Sequence, residues 1–267
     1  EATTALSQDI VVNSKFTRGV FQRTFKWITN WQRLSPGVLY PCIEVLPGSP
    51  PLRPCASVGG VPQTLLRTMF LSINRFERKK AVHLALEAMA HLREELPKDM
   101  YNTVDLVIAG GYDERVSENV EYYDELVQRA NKLELHIVEG DAAPRGASVR
   151  FVRSFSDAEK QELLASCTAV LYTPSFEHFG IVPLETMAAE RPVIAVNNGG
   201  PLETVVDRET GFLVDPKPEA FATAMAKLVR DESAMKVMGA AGRKRVIDNF
   251  SREAFAKTLE NSLVNLV

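Results

Sequence analysis

The sequence predicts an α/β protein organised around a doubly wound parallel sheet, and three observations carry that prediction. Apolar runs of strand length recur along the chain: TMFLSI, VDLVIAG, VRFV, TAVLYT, PVIAV and GFLV. Most are separated by stretches of helical period, such as AVHLALEAMAHLREEL. The 267 residues, 45% hydrophobic and 24% charged, suffice for a sizeable core in one large or two small domains.

The elements follow in order. DIVVNSKFTRGVFQRTF reads as a strand, a cap at Ser14 and a helix already in progress. No initiator methionine, signal peptide or basic leader precedes it, so the sequence reads as a piece of a longer chain. GVLYPCIEV is a second short strand. LPGSPPLRPCASVGGVPQ concentrates Pro and Gly without periodicity, which makes residues 47–66 a linker. The regular pattern fills residues 67–267. There EYYDELVQRANKLEL and DAEKQELLASC supply crossover helices, HIVEGDAAPRGAS reads as a loop insertion around residues 134–148, and FATAMAKLVR, AMKVMGAAGRKRVIDNF and SREAFAKTLENSLVNLV close the chain as helices.

Charge and composition exclude several classes. A net charge of -3 and a pI near 5.9 give no reason to expect nucleic acid. No apolar run is long enough to cross a bilayer, so the chain itself reads as soluble. Cys42, Cys55 and Cys167 are odd in number and lack CxxC spacing, which argues against a disulfide framework or zinc site and for a reducing compartment. The Asn249-Phe250-Ser251 tripeptide is a glycosylation sequon, but Ser251 has a more local use as a helix cap.

In such sheets ligands lie outside the carboxyl ends of the strands, so chemistry belongs to the strand-to-helix loops. In SINRFERKKAV, Arg75, Arg78, Lys79 and Lys80 precede a helix whose dipole already places about half a positive charge at its start. A phosphate or diphosphate held by Arg75, Lys80 and the free amides resolves that conflict; a solvated charge run is the other reading. In IAGGYDER, Gly110 and Gly111 end a strand and permit either a tight turn or close approach of the backbone to a ligand. Neither GxGxxG nor GxxxxGK[ST] occurs, which opposes a dinucleotide oxidoreductase and a P-loop NTPase.

The third loop is PSFEHFGIVPLE. It turns at Phe179-Gly180 and offers the amides of Gly180, Ile181 and Val182 at the start of a helix that carries Pro183 in its first turn. Glu177 and Glu185 stand eight positions apart in it. Glu185 shares a stripe with Ile181, Leu184 and Ala188 that predicts burial, and a buried carboxylate needs partners such as paired ribose hydroxyls; dipole stabilisation is the plainer alternative. Glu177 is placed to accept from sugar hydroxyls. His178 is open as a proton donor or sugar contact, with no second histidine or cysteine nearby for a metal. His83, His91 and His136 read as surface or packing residues. Glu203 suits the N3 position of a helix entered through Pro201, and Asn197, Asn198, Gly199 and Gly200 form a strand-end turn bordering the site.

EHFGIVPLE resembles the E-x7-E motif of retaining glycosyltransferases of the GT-B, family-4 type, and RFERKK, PVIAVNNGGPLE and TGFLV stand in the order that family expects, over about 200 residues. Within the family, SINRFERKK, AGGYDERVSENVEYYDEL, RSFSD, LYTPSFEHFGIVPLE and AVNNGGPLE are similar to the branch that adds α-1,3- and α-1,6-linked mannose to dolichol-linked oligosaccharides. The resemblance implies a Rossmann-like donor-binding half of a GT-B fold at residues 67–267, preceded by a remnant of the acceptor-side half at residues 1–46. It implies transfer of mannose, with retention, from GDP-mannose to a dolichol-diphosphate-linked Man-GlcNAc2 acceptor in N-glycan precursor assembly. The cytosolic face of the endoplasmic reticulum and membrane association of the complete protein are implied with it. Carried onto this sequence, Arg75 and Lys80 neutralise the departing diphosphate and Glu177 contacts the donor mannose. Glu185 holds the ribose, the backbone of Phe179, Gly180 and Ile181 meets sugar and phosphate, and His178, Gly110, Gly111 and Arg153 of RSFSD complete the donor-binding set. No metal and no cofactor is required, because fixed cations and amides stabilise the leaving group.

The sequence departs from the family pattern at its beginning, where only the end of the first half precedes the linker. Donor binding without useful transfer is therefore expected of this chain alone. Two other classes compete: a non-catalytic GT-B donor-binding or scaffold module, and a sugar-nucleotide epimerase or NAD enzyme, which the missing GxGxxG opposes.

Overall fold

The computed structural model describes residues 10–27, 35–45, 67–139 and 146–264. The chain opens with β1 (Val11–Val12), α1 (Lys15–Thr24) and β2 (Gly37–Val38), the two strands pairing in parallel as a ribbon of their own. Ser14 caps α1 as the sequence predicts, its hydroxyl accepting from the Thr17 amide.

A parallel sheet of seven strands follows. β3 (Thr68–Ile73) leads through a 3-10 turn at Arg78–Lys80 into α2 (His83–Glu95) and the short α3 (Lys98–Tyr101). Then come β4 (Val104–Gly110), α4 (Ser117–Lys132), β5 (His136–Ile137), β6 (Ser148–Arg153), α5 (Asp157–Ser166), β7 (Ala169–Tyr172), α6 (Ile181–Ala188), β8 (Val193–Val196), α7 (Pro201–Thr204) and β9 (Gly211–Val214). Three helices close the chain: α8 (Pro218–Arg230), α9 (Glu232–Phe250) and α10 (Arg252–Val264).

The strand order is β5-β6-β4-β3-β7-β8-β9. From β3 the chain runs outward on one side, then returns and lays β7 against the opposite edge of β3. β3 and β7 therefore flank the point where strand order reverses, and a ligand crevice opens there at the carboxyl ends.

The strand runs are almost continuously apolar because both faces of the sheet are covered. Phe70, Leu106, Ile108 and Leu171 face a core shared with Met89 of α2, Leu126 of α4 and Phe221 of α8. Met69, Leu71, Ile73, Val107 and Val170 face the other way, toward Leu163 and Leu164 of α5. A third cluster joins Tyr172, Phe179, Leu184 and Met187 to Val246 and Phe250 of α9. Gly239 lets α9 approach that layer, since a Cβ there would stand 2.1 Å from the Glu190 carbonyl oxygen.

Several expectations change. The insertion read as loop contains β5, which pairs with β6 at the sheet edge, so His136 is a strand residue. A two-residue edge strand is too short to leave a period-two signature. GVLYPCIEV contributes only Gly37–Val38 and an isolated bridge from Ile43 to Ser251. Ser251 does cap α10, accepting from the Ala254 amide at 3.2 Å. Cys167 is buried and Cys42 half-buried, and neither is in a disulfide among the described residues. The expected linker and Cys55 lie outside the described residues.

Candidate active site

The loops after β3 and β7 meet across the reversal point. Thr173, next after β7, donates its hydroxyl to the Lys80 carbonyl at 2.7 Å and fixes the 3-10 turn against the neighbouring strand. Ala81, in the left-handed region at φ 48°, then redirects the chain into α2. Lys80 Nζ reaches Glu177 Oε2 at 2.5 Å, with the two side chains only 13% and 29% exposed. Two of the three expected catalytic residues are thus brought together from positions 97 apart.

The rest of the cationic loop is already engaged. Arg78 bridges to Glu121 at 3.0 Å and Glu125 at 2.5 Å on α4, and the hydrogen bond from Arg78 holds the Glu125 carboxyl below its usual range. Arg75 and Lys79 each stand 3.0 Å from a carboxylate oxygen of Glu77. Arg75 is 64% exposed and pairs with Glu77, so as the loop stands it does not join Lys80. Its Cγ lies 3.6 Å from where a Cβ on Gly111 would be, at the rim of the crevice. Gly110 has a packing reason: a Cβ there would stand 1.9 Å from the Asn74 carbonyl oxygen. Arg153 ends β6 opposite Gly110, and its guanidinium lies 5.2 Å from the ring centres of both Tyr112 and Tyr123.

The loop from Glu177 to Gly180 is shaped by glycines. Gly180 has φ 85°, and a Cβ on it would lie 2.7 Å from Tyr172 Oη. Gly200 donates its amide to the Glu177 carbonyl at 2.7 Å and packs so closely that a Cβ would stand 2.0 Å from the Phe179 carbonyl oxygen. Asn198 accepts from the Phe176 amide at 2.7 Å, so the NNGG turn does border the loop as expected. Burial, and secondarily the Glu177 charge, pushes the Tyr172 hydroxyl well above its ordinary range, which keeps it neutral beneath the loop. Gly180 caps α6 without a side-chain partner among the described residues, which leaves first-turn amides, Ile181 included, at the loop. Phe179 is 3% exposed and its ring stacks on Tyr40 with centroids 5.7 Å apart, so it offers the loop its backbone, the part expected at the site.

Glu185 also differs. Leu184 and Met187 take the core side of α6, and Glu185 stands at the helix margin, 23% exposed, with Oε1 2.9 Å from Lys160 Nζ on α5. The burial expected of it is therefore partial, and it already has a partner. Lys160 is not marked by the sequence. Its one signal is that it is the sole cation of DAEKQELLAS, just after the capping box of Ser156 and Glu159.

His178 faces α1. Its carbonyl accepts from the Ser14 hydroxyl at 2.5 Å, and its Nδ1 lies 3.1 Å from Thr17 Oγ1. Glu203 is a cap of a different helix from the one expected. Its carboxylate accepts from the amides of Lys15 and Phe16 at 2.8 Å each, at the start of α1, and from the Tyr40 hydroxyl at 2.9 Å. Burial first, and Glu203 second, pushes the Tyr40 hydroxyl up to about 12.

A separate cavity of about 480 Å³, lined by Arg93, Lys98, Tyr101, Glu134 and His136 among others, opens at the amino ends of β4, β5 and β6 and holds none of these residues. Among the described residues no helix is long and apolar enough to cross a membrane.

The domain is thus doubly wound, with its charged seam at the strand reversal and a glycine-shaped loop beside it that carries Glu177. The model for glycosyl transferases group 1 matches residues 65–245, and the chain belongs to that family. It is 45% identical over 267 residues to the alpha-1,3/1,6-mannosyltransferase ALG2 of Mus musculus, and 46% identical over 274 residues to the protein of the same name from Homo sapiens. Each match takes in 100% of this chain and 61% of the relative, so the chain spans about three fifths of their length. Among solved structures, sucrose-phosphate synthase (tll1590) from Thermosynechococcus elongatus superposes with a TM-score of 0.74 at 22% identity, over 100% of this chain and 62% of that one, and shares the fold.

Proposed function

We infer that this chain is the donor-binding part of a retaining mannosyltransferase. Its donor is GDP-mannose, and its acceptor a dolichol-diphosphate-linked Man-GlcNAc2 that receives an α-1,3- and then an α-1,6-linked mannose. Work at the cytosolic face of the endoplasmic reticulum, with the complete protein associated with the membrane, belongs to the same reading. The observation that carries it is the Lys80–Glu177 pair at the strand reversal, in a chain 45% identical to an alpha-1,3/1,6-mannosyltransferase.

In this reading Glu177 is the counter-ion of Lys80 while no donor is bound. A diphosphate entering the crevice takes over Lys80 Nζ and the first-turn amides of α6, and Glu177, released, accepts from a mannose hydroxyl. Charge developing on the departing GDP meets donors already in place, which is where electrostatic stabilisation is strongest. Arg75, held outward by Glu77, completes the phosphate contacts by turning in from the rim. Glu185, steadied by Lys160, receives the ribose hydroxyls. Lys80 and the amides supply the charge neutralisation, so chelation of divalent metal is expected to leave donor affinity unchanged.

Calorimetric titration of the chain with GDP, UDP and ADP tests the assignment. GDP is expected to bind most tightly; equal affinities, or a reversed order, defeat the guanine assignment. Positioning an acceptor hydroxyl against the anomeric carbon can supply ~7 to 11 kcal/mol of a barrier. With about two fifths of the relatives' length outside the match, the chain alone is expected to bind GDP-mannose without useful transfer to lipid-linked acceptor. Robust mannosylation by the 267 residues would place the acceptor site within them.

A further inference from the structure

The geometry points to Glu203 as a positioning residue for the donor sugar, acting through α1 and His178. This rests on the reading of the 177–180 loop as the sugar end of the donor site.

Glu203 and α1 are 188 positions apart in sequence, yet both carboxylate oxygens of Glu203 are committed to that helix and its neighbour. Oε2 accepts from the Lys15 amide and the Tyr40 hydroxyl, and Oε1 from the Phe16 amide. The first amides of a helix have no partner within it, and an anion placed there is favoured by the helix dipole. Arg245 fixes the backbone beneath the carboxylate, donating to the carbonyls of Glu203 and Thr204 at 2.7 Å each. The grip on α1 is thus rigid on the Glu203 side.

What α1 holds in turn is the loop. Ser14, the capping residue, donates to the His178 carbonyl, and Thr17, one turn into the helix, meets the His178 ring at Nδ1. Phe16, whose amide is bound by Glu203, presents its ring edgewise to the same imidazole at 5.7 Å between centroids. His178 follows Glu177 directly, and Gly200, three residues before Glu203, bonds the Glu177 carbonyl. Glu203 therefore lies at one end of a closed circuit, running through α1 to His178 and back through Glu177 and Gly200. Its removal frees the first turn of α1, and with it the two hydroxyls that orient His178 beside the sugar-facing acid. Lys80 touches that circuit only through its ion pair with the Glu177 side chain, and its own place is set by the Thr173 bond to its carbonyl; the amides of α6 form no part of it.

The expected signature is a split between two ligands. Glu203→Ala lowers the affinity of the chain for GDP-mannose by about threefold to tenfold, the size of one net hydrogen bond, while GDP binds as before. Thr17→Val, which deletes one hydroxyl from a half-buried helix surface and leaves the helix cap intact, shifts the same ratio in the same direction by a smaller factor. Titration calorimetry with both ligands, on both variants and on Glu177→Ala, decides the matter. GDP and GDP-mannose affinities that fall together, or that do not change in either variant, overturn the inference. A ratio altered in Glu177→Ala alone overturns it while leaving the donor assignment in place. A ratio unaltered in all three overturns the donor assignment, and this inference with it.

Discussion

Glu177 and Glu185 each face a lysine, and the two pairs are built on different supports. Glu177 stands in a loop, between Phe176 at φ 57° and Gly180 at φ 85°, and meets a lysine from the turn of an adjacent strand. Glu185 stands eight positions on, in the second turn of α6, whose Leu184 and Met187 are wholly buried, and meets a lysine from the neighbouring crossover helix. Ion pairs of similar length can therefore have opposite uses. An acid on a loop can surrender its lysine to a stronger anion, whereas an acid on a packed helix keeps both its lysine and its position. The first suits a counter-ion that is exchanged when donor binds, the second a fixed platform for hydroxyls.

The largest effect is expected where the loop support itself is broken. Gly200→Ala would place a Cβ 2.0 Å from the Phe179 carbonyl oxygen and should cost about 3 kcal/mol of stability by overpacking. Urea unfolding measures it, and an unchanged midpoint would show that the loop yields freely. Lys80→Ala removes the exchangeable cation. GDP affinity should fall by about 1.5 to 3 kcal/mol while guanosine binds as before, and added magnesium should not restore the loss. A guanosine affinity that falls equally would make Lys80 a structural residue.

The platform is tested by a smaller difference. Lys160→Met leaves Glu185 in place without its orienting partner, so GDP should weaken by about 1 kcal/mol and 2′,3′-dideoxy-GDP should not. Equal weakening of both nucleotides would remove the ribose from Glu185. The smallest effect comes from His83, which opens α2 just after the Lys80 turn and lies 3.1 Å from the Tyr122 hydroxyl through Nδ1. Burial lowers its value below the ordinary 6.5, partly offset by Glu87. The unfolded chain then takes up a proton before the folded one does. Stability is complete above pH 6.5 and declines as pH falls below it. Melting curves from pH 7.5 to 5 should show a decline that His83→Gln reduces; an identical decline in the variant assigns it elsewhere.

The strands were legible because two-sided burial writes itself as an apolar run. TMFLSI, VDLVIAG and GFLV coincide with β3, β4 and β9 to the residue. Glu177 and Lys80 were legible because a strand-to-helix loop is where such sheets do chemistry, and a cation before a helix start is locally disfavoured. What was not legible depends on contacts between distant segments. Lys160 reads as an ordinary solvated helix lysine until α5 is laid beside α6. Glu203 has a plausible local use as a cap, and nothing in PLE reveals that its partners are Lys15 and Phe16. Glu185 was placed on a buried stripe because helical period gives the side of a helix but not how far the neighbouring element covers it.

The strand order has a consequence for the time course of folding. β3 pairs through Phe70 with Leu106 on one side and with Ala169 on the other, so the second pairing closes a loop nearly three times as long as the first. The additional closure entropy is only about 1 kcal/mol, but contacts so distant in sequence form slowly. The β3–β4–β6 half has its neighbours early; the Lys80–Glu177 seam exists only once β7 has docked. During refolding, helical signal and burial of the first core should therefore recover ahead of nucleotide binding, and the crevice should be the last part of the domain to acquire its shape.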